Sequence, residues 1–283
     1  MFPSQNPMPR TITGLRTEDR LPRASESVSP DWQKWLDLVA LAVAESQLPE
    51  WSGAVAVREH RPTDAPLLHG AAVRVPAVRA LTYTARMAGE LGIVAPEAVE
   101  PLALIRAGME RDPKRVEMLA GLLAVPADTV AVLGQLSAMP LLLNAAGTLS
   151  AESSRTWQRG YCPVCGAWPS MVEMRGIQRE RRMRCGCCSS DWLLPVLRCA
   201  FCDEVHHRKL GSFANEGEEH LLRVETCASC HGYLKSITTL GALTFTALAA
   251  KDLSTVTFDL AASDRGFARP VRPGWRLVVE MES

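Results

Sequence analysis

The sequence predicts an α+β chain: an N-terminal helical domain, then two tandem Cys₄ metal knuckles, then a C-terminal helix. Three observations carry that prediction. All nine cysteines fall between residues 162 and 230, and residues 1 to 161 hold none. Eight of the nine form four C-x₂-C pairs. Apolar residues in the first half recur at helical spacing, mostly in blocks that open on proline.

The chain of 283 residues is long enough to bury a core in one large or two medium domains. Hydrophobic residues make up 47% and charged residues 22%, the balance of a globular protein. Thirty-one basic side chains cancel thirty-one acidic ones, so no global field draws the chain to nucleic acid or anionic lipid. No run reaches the roughly 18 consecutive apolar residues of a membrane span. The longest candidate, Ala138 to Ala146, is interrupted by Pro140. The opening residues, MFPSQNPMPRTITGLRTEDR, mix both charge signs without an apolar stretch and do not read as a signal peptide. The expected compartment is therefore the cytoplasm, where thiols stay reduced and clustered cysteines serve as metal ligands rather than disulfides.

Residues 1–28, rich in Pro, Ser and Thr, read as a flexible arm. Residues 29–155 read as the helical domain. It starts at Ser29-Pro30-Asp31, with a capping serine, a proline at the first helical position and an acid in the first turn. Trp32, Trp35, Leu36, Val39 and Val43 then mark one face of a helix to about Glu45. Residues 48 to 75, with Pro49, Pro62 and Pro66, read as irregular. Helical patterns follow over Pro76–Leu91, Pro96–Met109 and Pro113–Ala124, and from Ala127 towards Leu149.

The pairs Cys162/Cys165 and Cys185/Cys188 define a first Cys₄ knuckle over residues 156–195. Cys199/Cys202 and Cys227/Cys230 define a second over residues 196–235. Two residues between paired cysteines form a tight turn that points both thiolates at one ion. The longer stretches between pairs suit a β-hairpin, as in zinc ribbons and rubredoxins. Two Cys₄-bound ions are therefore expected, and tetrahedral thiolate suits either zinc or a rubredoxin-type iron. Residues 236–283 read as a C-terminal helix, patterned from Ala249 to Ala262, and a tail. Trp275-Arg-Leu-Val-Val within that tail is a short strand or an extended segment.

The ninth cysteine, Cys187, sits inside the second pair and reads as a spectator or reactive thiol, since adjacent Cys187 and Cys188 would make poor joint ligands. His206, His207 and His231 read as surface residues, four cysteines being already available at each site. Arg175, Arg179, Arg181, Arg182 and Arg184 form a basic finger between the first two pairs. They would either touch phosphates or an acidic surface, or decorate a solvated hairpin. No aromatic residue lies between Glu173 and Arg184, which argues against a stacking platform for single strands. The sequence contains no phosphate-binding G-x-x-x-x-G-K-[ST], no G-x-G-x-x-G, no H-E-x-x-H and no G-x-S-x-G, and no catalytic residues are expected.

The segment Trp157-Gln-Arg-Gly-Tyr-Cys-Pro-Val-Cys-Gly-Ala-Trp-Pro169 resembles the opening of the metal region in the formate dehydrogenase accessory protein family, FdhE. The similarity continues through Arg184-Cys185, Cys188, Trp192 and Arg198-Cys199 to Cys202. It resumes at Glu225-Thr-Cys227-Ala-Ser-Cys230 with Tyr233-Leu234-Lys235. Asp252-Leu253, Phe258-Asp259-Leu260 and Arg265-Gly266-Phe267 extend it. The resemblance implies a cytoplasmic accessory factor that is not itself an enzyme. Such a factor is needed for active formate dehydrogenase and docks on the immature molybdenum-containing catalytic subunit. It also implies rubredoxin-like iron at the eight paired cysteines. No membrane partner is expected, nucleic acid is disfavoured, and weak self-association stays open. The alternative is a zinc-ribbon nucleic-acid-binding protein that uses the arginine finger, and a weaker third is a redox carrier working through iron.

Overall fold

The computed structural model describes residues 30–58, 60–94, 96–148 and 155–282, so the expected arm and the Ser29 cap fall outside them. The first half is built on helices α1 (Pro30–Ser46), α2 (Ala77–Glu90), α3 (Pro101–Glu110), α4 (Pro113–Leu123) and α5 (Ala127–Ala146). The helix expected from Pro96 starts instead at Pro101, and Pro96–Ala98 is a separate 3-10 turn. The reason is local: a residue ahead of proline is pushed out of the helical region, and Glu100 is extended. Asp112 caps α4 by accepting from the Lys114 amide at 3.1 Å. Arg111 and Ala124 end α3 and α4 in the left-handed conformation, at φ 50° and 52°, and reverse the chain sharply.

Helix α5 is the axis of this half, with α1 to α4 packed around it. Val130, Leu133, Leu136, Met139, Leu141 and Leu142 are all buried along it. Among the described residues it is the one helix long and apolar enough to cross a membrane by length and composition, which the count of consecutive apolar residues missed. Gln135, Ser137 and Pro140 break the run in sequence, but the helix is apolar on every face because helices enclose it. Helices α3 and α5 cross at two glycines. A Cβ on Gly108 would lie 1.9 Å from the Gly134 carbonyl oxygen.

The stretch read as irregular holds a 3-10 turn, Pro49–Trp51, and strands β1 (Val55–Ala56) and β2 (Ala72–Arg74). The cysteine region forms strands β3 (Pro169–Arg175), β4 (Glu180–Cys185), β5 (Asp191–Leu193), β6 (Leu210–Phe213), β7 (Leu222–Cys227) and β8 (Tyr233–Thr239). These make one sheet of order β5-β4-β3-β8-β7-β6. Each Cys₄ unit supplies three antiparallel strands in the same order, and the units join through a parallel pairing of β3 with β8, Met171 opposite Lys235. The two knuckles are thus a tandem repeat within a continuous sheet. Beyond it, the single helix expected over 249–262 is two: α6 (Phe245–Ser254) and α7 (Val256–Asp264), broken at Thr255. The tail ends in β9 (Glu280–Glu282), which pairs in parallel with β2 and ties the C-terminus to the helical half.

Helices α6 and α7 cover one face of the sheet through a buried ionic network. The Lys235 ammonium is fully buried and meets Asp252 Oδ1 at 2.7 Å and Asp259 Oδ2 at 2.5 Å. Arg269 pairs with both carboxylates at 2.8 Å, and the Tyr233 hydroxyl donates to Asp259 at 2.8 Å. Burial works to raise the Asp252 pKa, but Arg269 and Lys235 outweigh it and hold the carboxyl below its ordinary value. A satellite core of Met171, Phe213, Val224, Ile237, Leu248 and Phe258 lies under the same helices. The main core is continuous from Leu38 in α1 through the first four paired cysteines to Val279.

Candidate metal centres

All four C-x₂-C pairs adopt one backbone design. In each, the amide of the leading cysteine donates to the carbonyl five residues on. The bonds are Cys162 to Ala167 at 2.8 Å, Cys185 to Ser190 at 3.0 Å, Cys199 to Glu204 at 2.9 Å and Cys227 to Gly232 at 3.0 Å. In each, the residue just past the second cysteine is left-handed: Gly166, Ser189, Asp203 and His231, at φ 72°, 65°, 60° and 56°. The turn aims amides at sulfur, as with the Val164 and Cys165 amides at 3.4 Å from Cys162 Sγ and the Phe201 amide at 3.4 Å from Cys199 Sγ. Of the four left-handed residues, Gly166 carries a signal a sequence reader would notice. The other three accept a strained conformation to complete the same turn.

The turns bring the eight paired cysteines into two groups of four. Cys162, Cys165, Cys185 and Cys188 form one, and Cys199, Cys202, Cys227 and Cys230 the other, with all sulfurs in a group within 4.8 Å of each other. Sulfur–sulfur distances are 3.5 Å for Cys162–Cys188 and Cys165–Cys185, and 3.7 Å for Cys199–Cys230 and Cys202–Cys227. A thiolate tetrahedron with metal–sulfur bonds of about 2.3 Å has edges of about 3.8 Å, so each group could hold one ion. None of the nine cysteines is in a disulfide. Hydrogen bonds from Cys162 and Cys185 hold the Cys165 thiol well below its ordinary range, while burial holds Cys185 and Cys188 well above theirs. An ion bound there would have to displace the protons that burial keeps on Cys185 and Cys188.

The first centre is sealed. Its four cysteines are buried, and the Ser190 hydroxyl lies 3.0 Å from both Cys162 Sγ and Cys188 Sγ. The helical half grips its leading knuckle by backbone: the Leu67 amide donates to Pro163 at 2.7 Å and the Leu68 amide to Val164 at 3.0 Å. The Arg111 guanidinium donates to the Cys165 carbonyl. Neither Ser190 nor Arg111 carried a sequence signal. Cys187 stays outside the group and is half-buried. The Cys165 thiolate pushes its thiol up to about 12, so it remains protonated at neutral pH.

The second centre is half open, with Cys202 and Cys230 exposed. A cavity of about 210 Å³ adjoins it, lined by Leu197, Phe201, Leu210, Arg223, Cys199 and Cys227 among others. None of the three histidines joins either group of four. His206 and His207 stack on each other, and His231 fills the left-handed position of the last knuckle beside Phe267.

The arginine finger is not free. Arg184 and Arg175 both engage the fully buried Glu173, Arg175 also reaches Asp191 at 3.0 Å, and Arg182 engages Asp191. Arg181 meets Glu225 at 2.7 Å and donates to the Pro195 carbonyl at 2.9 Å. Arg179 is exposed at the turn and donates to the His220 carbonyl and the Thr238 hydroxyl. Four of the five, Arg175, Arg181, Arg182 and Arg184, are held by carboxylates, so the phosphate-binding reading is not favoured.

With the geometry established, known proteins sharpen it. The family model described as FdhE, C-terminal domain, matches residues 197–273. An FdhE homolog from Aquifex aeolicus is 32% identical over 139 residues, covering 47% of each chain. One from Haemophilus influenzae (Rd) is 36% identical over 111 residues, 38% of this chain and 36% of that one. FdhE from Escherichia coli O127:H6 is 32% identical over 114 residues, 40% of this chain and 36% of its own. The matched region thus spans less than half the length of these curated relatives. The crystal structure of the FdhE protein from Pseudomonas aeruginosa superposes with a TM-score of 0.57 at 20% identity, covering 86% of this chain and 87% of that one. At that identity the likeness is one of fold.

Proposed function

We propose, from the similarity to FdhE proteins, that the chain is an accessory factor for formate dehydrogenase. It acts in the cytoplasm on the immature molybdenum-containing catalytic subunit, without turnover of its own. Cys162, Cys165, Cys185 and Cys188 ligate one ion, iron or zinc, and Cys199, Cys202, Cys227 and Cys230 the other. The observation that carries this reading is the closure of both thiol groups. Four protein sulfurs complete a tetrahedron and leave no position at which formate could bind a metal. The pairing of four of the five arginines with carboxylates disfavours nucleic-acid binding. The chemistry then belongs to a partner, and this chain supplies a surface fixed in shape by its two ions.

Deletion of the gene is the test. Formate-dependent dye reduction is expected to vanish while the catalytic polypeptide is still made, and purified chain alone should show no formate oxidation. Complementation by the Cys162→Ser/Cys165→Ser double variant should fail. Normal dye reduction in the deletion strain, with no second copy of the gene present, would remove the accessory reading.

A further inference from the structure

Arg111 ends α3 in the left-handed conformation, at φ 50° and ψ 42°. A non-glycine residue holds that conformation at a cost on the order of 1 kcal/mol, so the surroundings must favour it. Here it carries the guanidinium out of the helical half and against the first knuckle. Nη2 donates to the Cys165 carbonyl, and the thiols of Cys165, Cys185 and Cys187 are the acidic groups around the charge. Arg111 Nε and Nη1 are sealed from water and have no hydrogen-bond partner. No carboxylate among the described residues forms an ion pair with Arg111. Glu110 is held by Arg106 at 3.0 Å and Arg115 at 3.4 Å, and Asp112 caps α4. A buried cation with two idle donors, thiols around it and no carboxylate paired to it among the described residues lacks a counter-charge.

We propose that Arg111 is the charge-compensating residue of the first metal centre, lent to the knuckle by the helical half. A divalent ion with four thiolates carries a net charge of about −2, which is costly to bury without a compensating positive charge. A guanidinium beside the sulfurs offsets that charge, and its idle N–H groups are the donors such thiolates accept from. The second centre has two exposed cysteines, so water supplies there what Arg111 supplies at the first. Metal binding at the first centre and the seating of the end of α3 on the first knuckle are thereby linked. The inference rests on the metal reading above and adds a residue that no C-x₂-C pattern includes.

The test uses the full chain loaded with zinc and titrated with a competing chelator. Arg111→Met is expected to weaken one of the two sites by about 10- to 100-fold and leave the other unchanged. Arg111→Lys, which keeps the charge, should restore most of the loss. With cobalt(II) in place of zinc, Arg111→Met should shift the sulfur-to-metal charge-transfer band of one site to lower energy, because less compensated thiolates are better donors. Should the Met variant fail to fold, Arg111→Gln is read in the same assays with the same expectation. Wild-type affinity at both sites and an unshifted cobalt band in an uncharged variant would overturn the proposal, even if that variant melts earlier. So would an equal fall at both sites. Wild-type protein holding no zinc would instead overturn the metal reading itself, and this inference with it.

Discussion

At the first centre four buried cysteines sit under a serine hydroxyl and an arginine, and two amides of the helical half clamp the leading knuckle. At the second, built on the same turns and almost the same sulfur spacing, two cysteines face solvent beside an open cavity. The local design is therefore not what separates them, since each knuckle closes with the same hydrogen bond and left-handed residue. What separates them is the neighbouring structure. The first centre belongs to the main core and ties the two halves together, whereas the second belongs to the sheet's far end. On the proposed metal reading, an ion at the first centre is a keystone of the fold and one at the second a local staple.

The largest expected effect follows from that difference. Cys165→Ser should lose one ion and destabilise the helical half as well as the sheet, because structural metal binding is worth on the order of 10 kcal/mol. Cys230→Ser should also lose one ion, yet keep the helical signal near its wild-type melting point. Metal analysis with circular dichroism at the helical band checks both; equal damage from the two variants would erase the distinction. Next comes Lys235→Met, which removes one of the two cations paired with Asp252 and Asp259 and should cost about 3 kcal/mol. Both ions should remain, since this network fastens α6 and α7 rather than a centre; loss of metal would join it to the second site. Smallest is Cys187→Ser, expected to retain two ions and melt within about 1 kcal/mol of wild type, whereas Cys188→Ser loses one. Metal content of the pair distinguishes them.

Some of this was legible in the sequence, and physics explains which parts. The grouping of eight thiols could be read from C-x₂-C spacing, because the turn is short and leaves the chain little choice. The prolines ahead of α3 and α4 marked the helical blocks, though choosing Pro96 over Pro101 misplaced one start. Arg184 could not be matched to Glu173, nor Arg181 to Glu225, without the strand register that turns them inward. The parallel join of β3 to β8 and the return of β9 to β2 are long-range pairings with no local signature. Lys235, Asp252 and Asp259 stood out through family resemblance alone, and only the structure gives them a job, as one buried ionic network. Arg111 was invisible because its role depends on a partner segment more than fifty residues away.

The most direct test of the two-centre account is the time course of metal release from the intact chain under excess chelator. Two phases of one equivalent each are expected. The fast one should be missing in Cys230→Ser, and helical structure should persist until the slow one begins. A single phase releasing both ions, or a fast phase that survives in Cys230→Ser and is lost in Cys165→Ser, would contradict it.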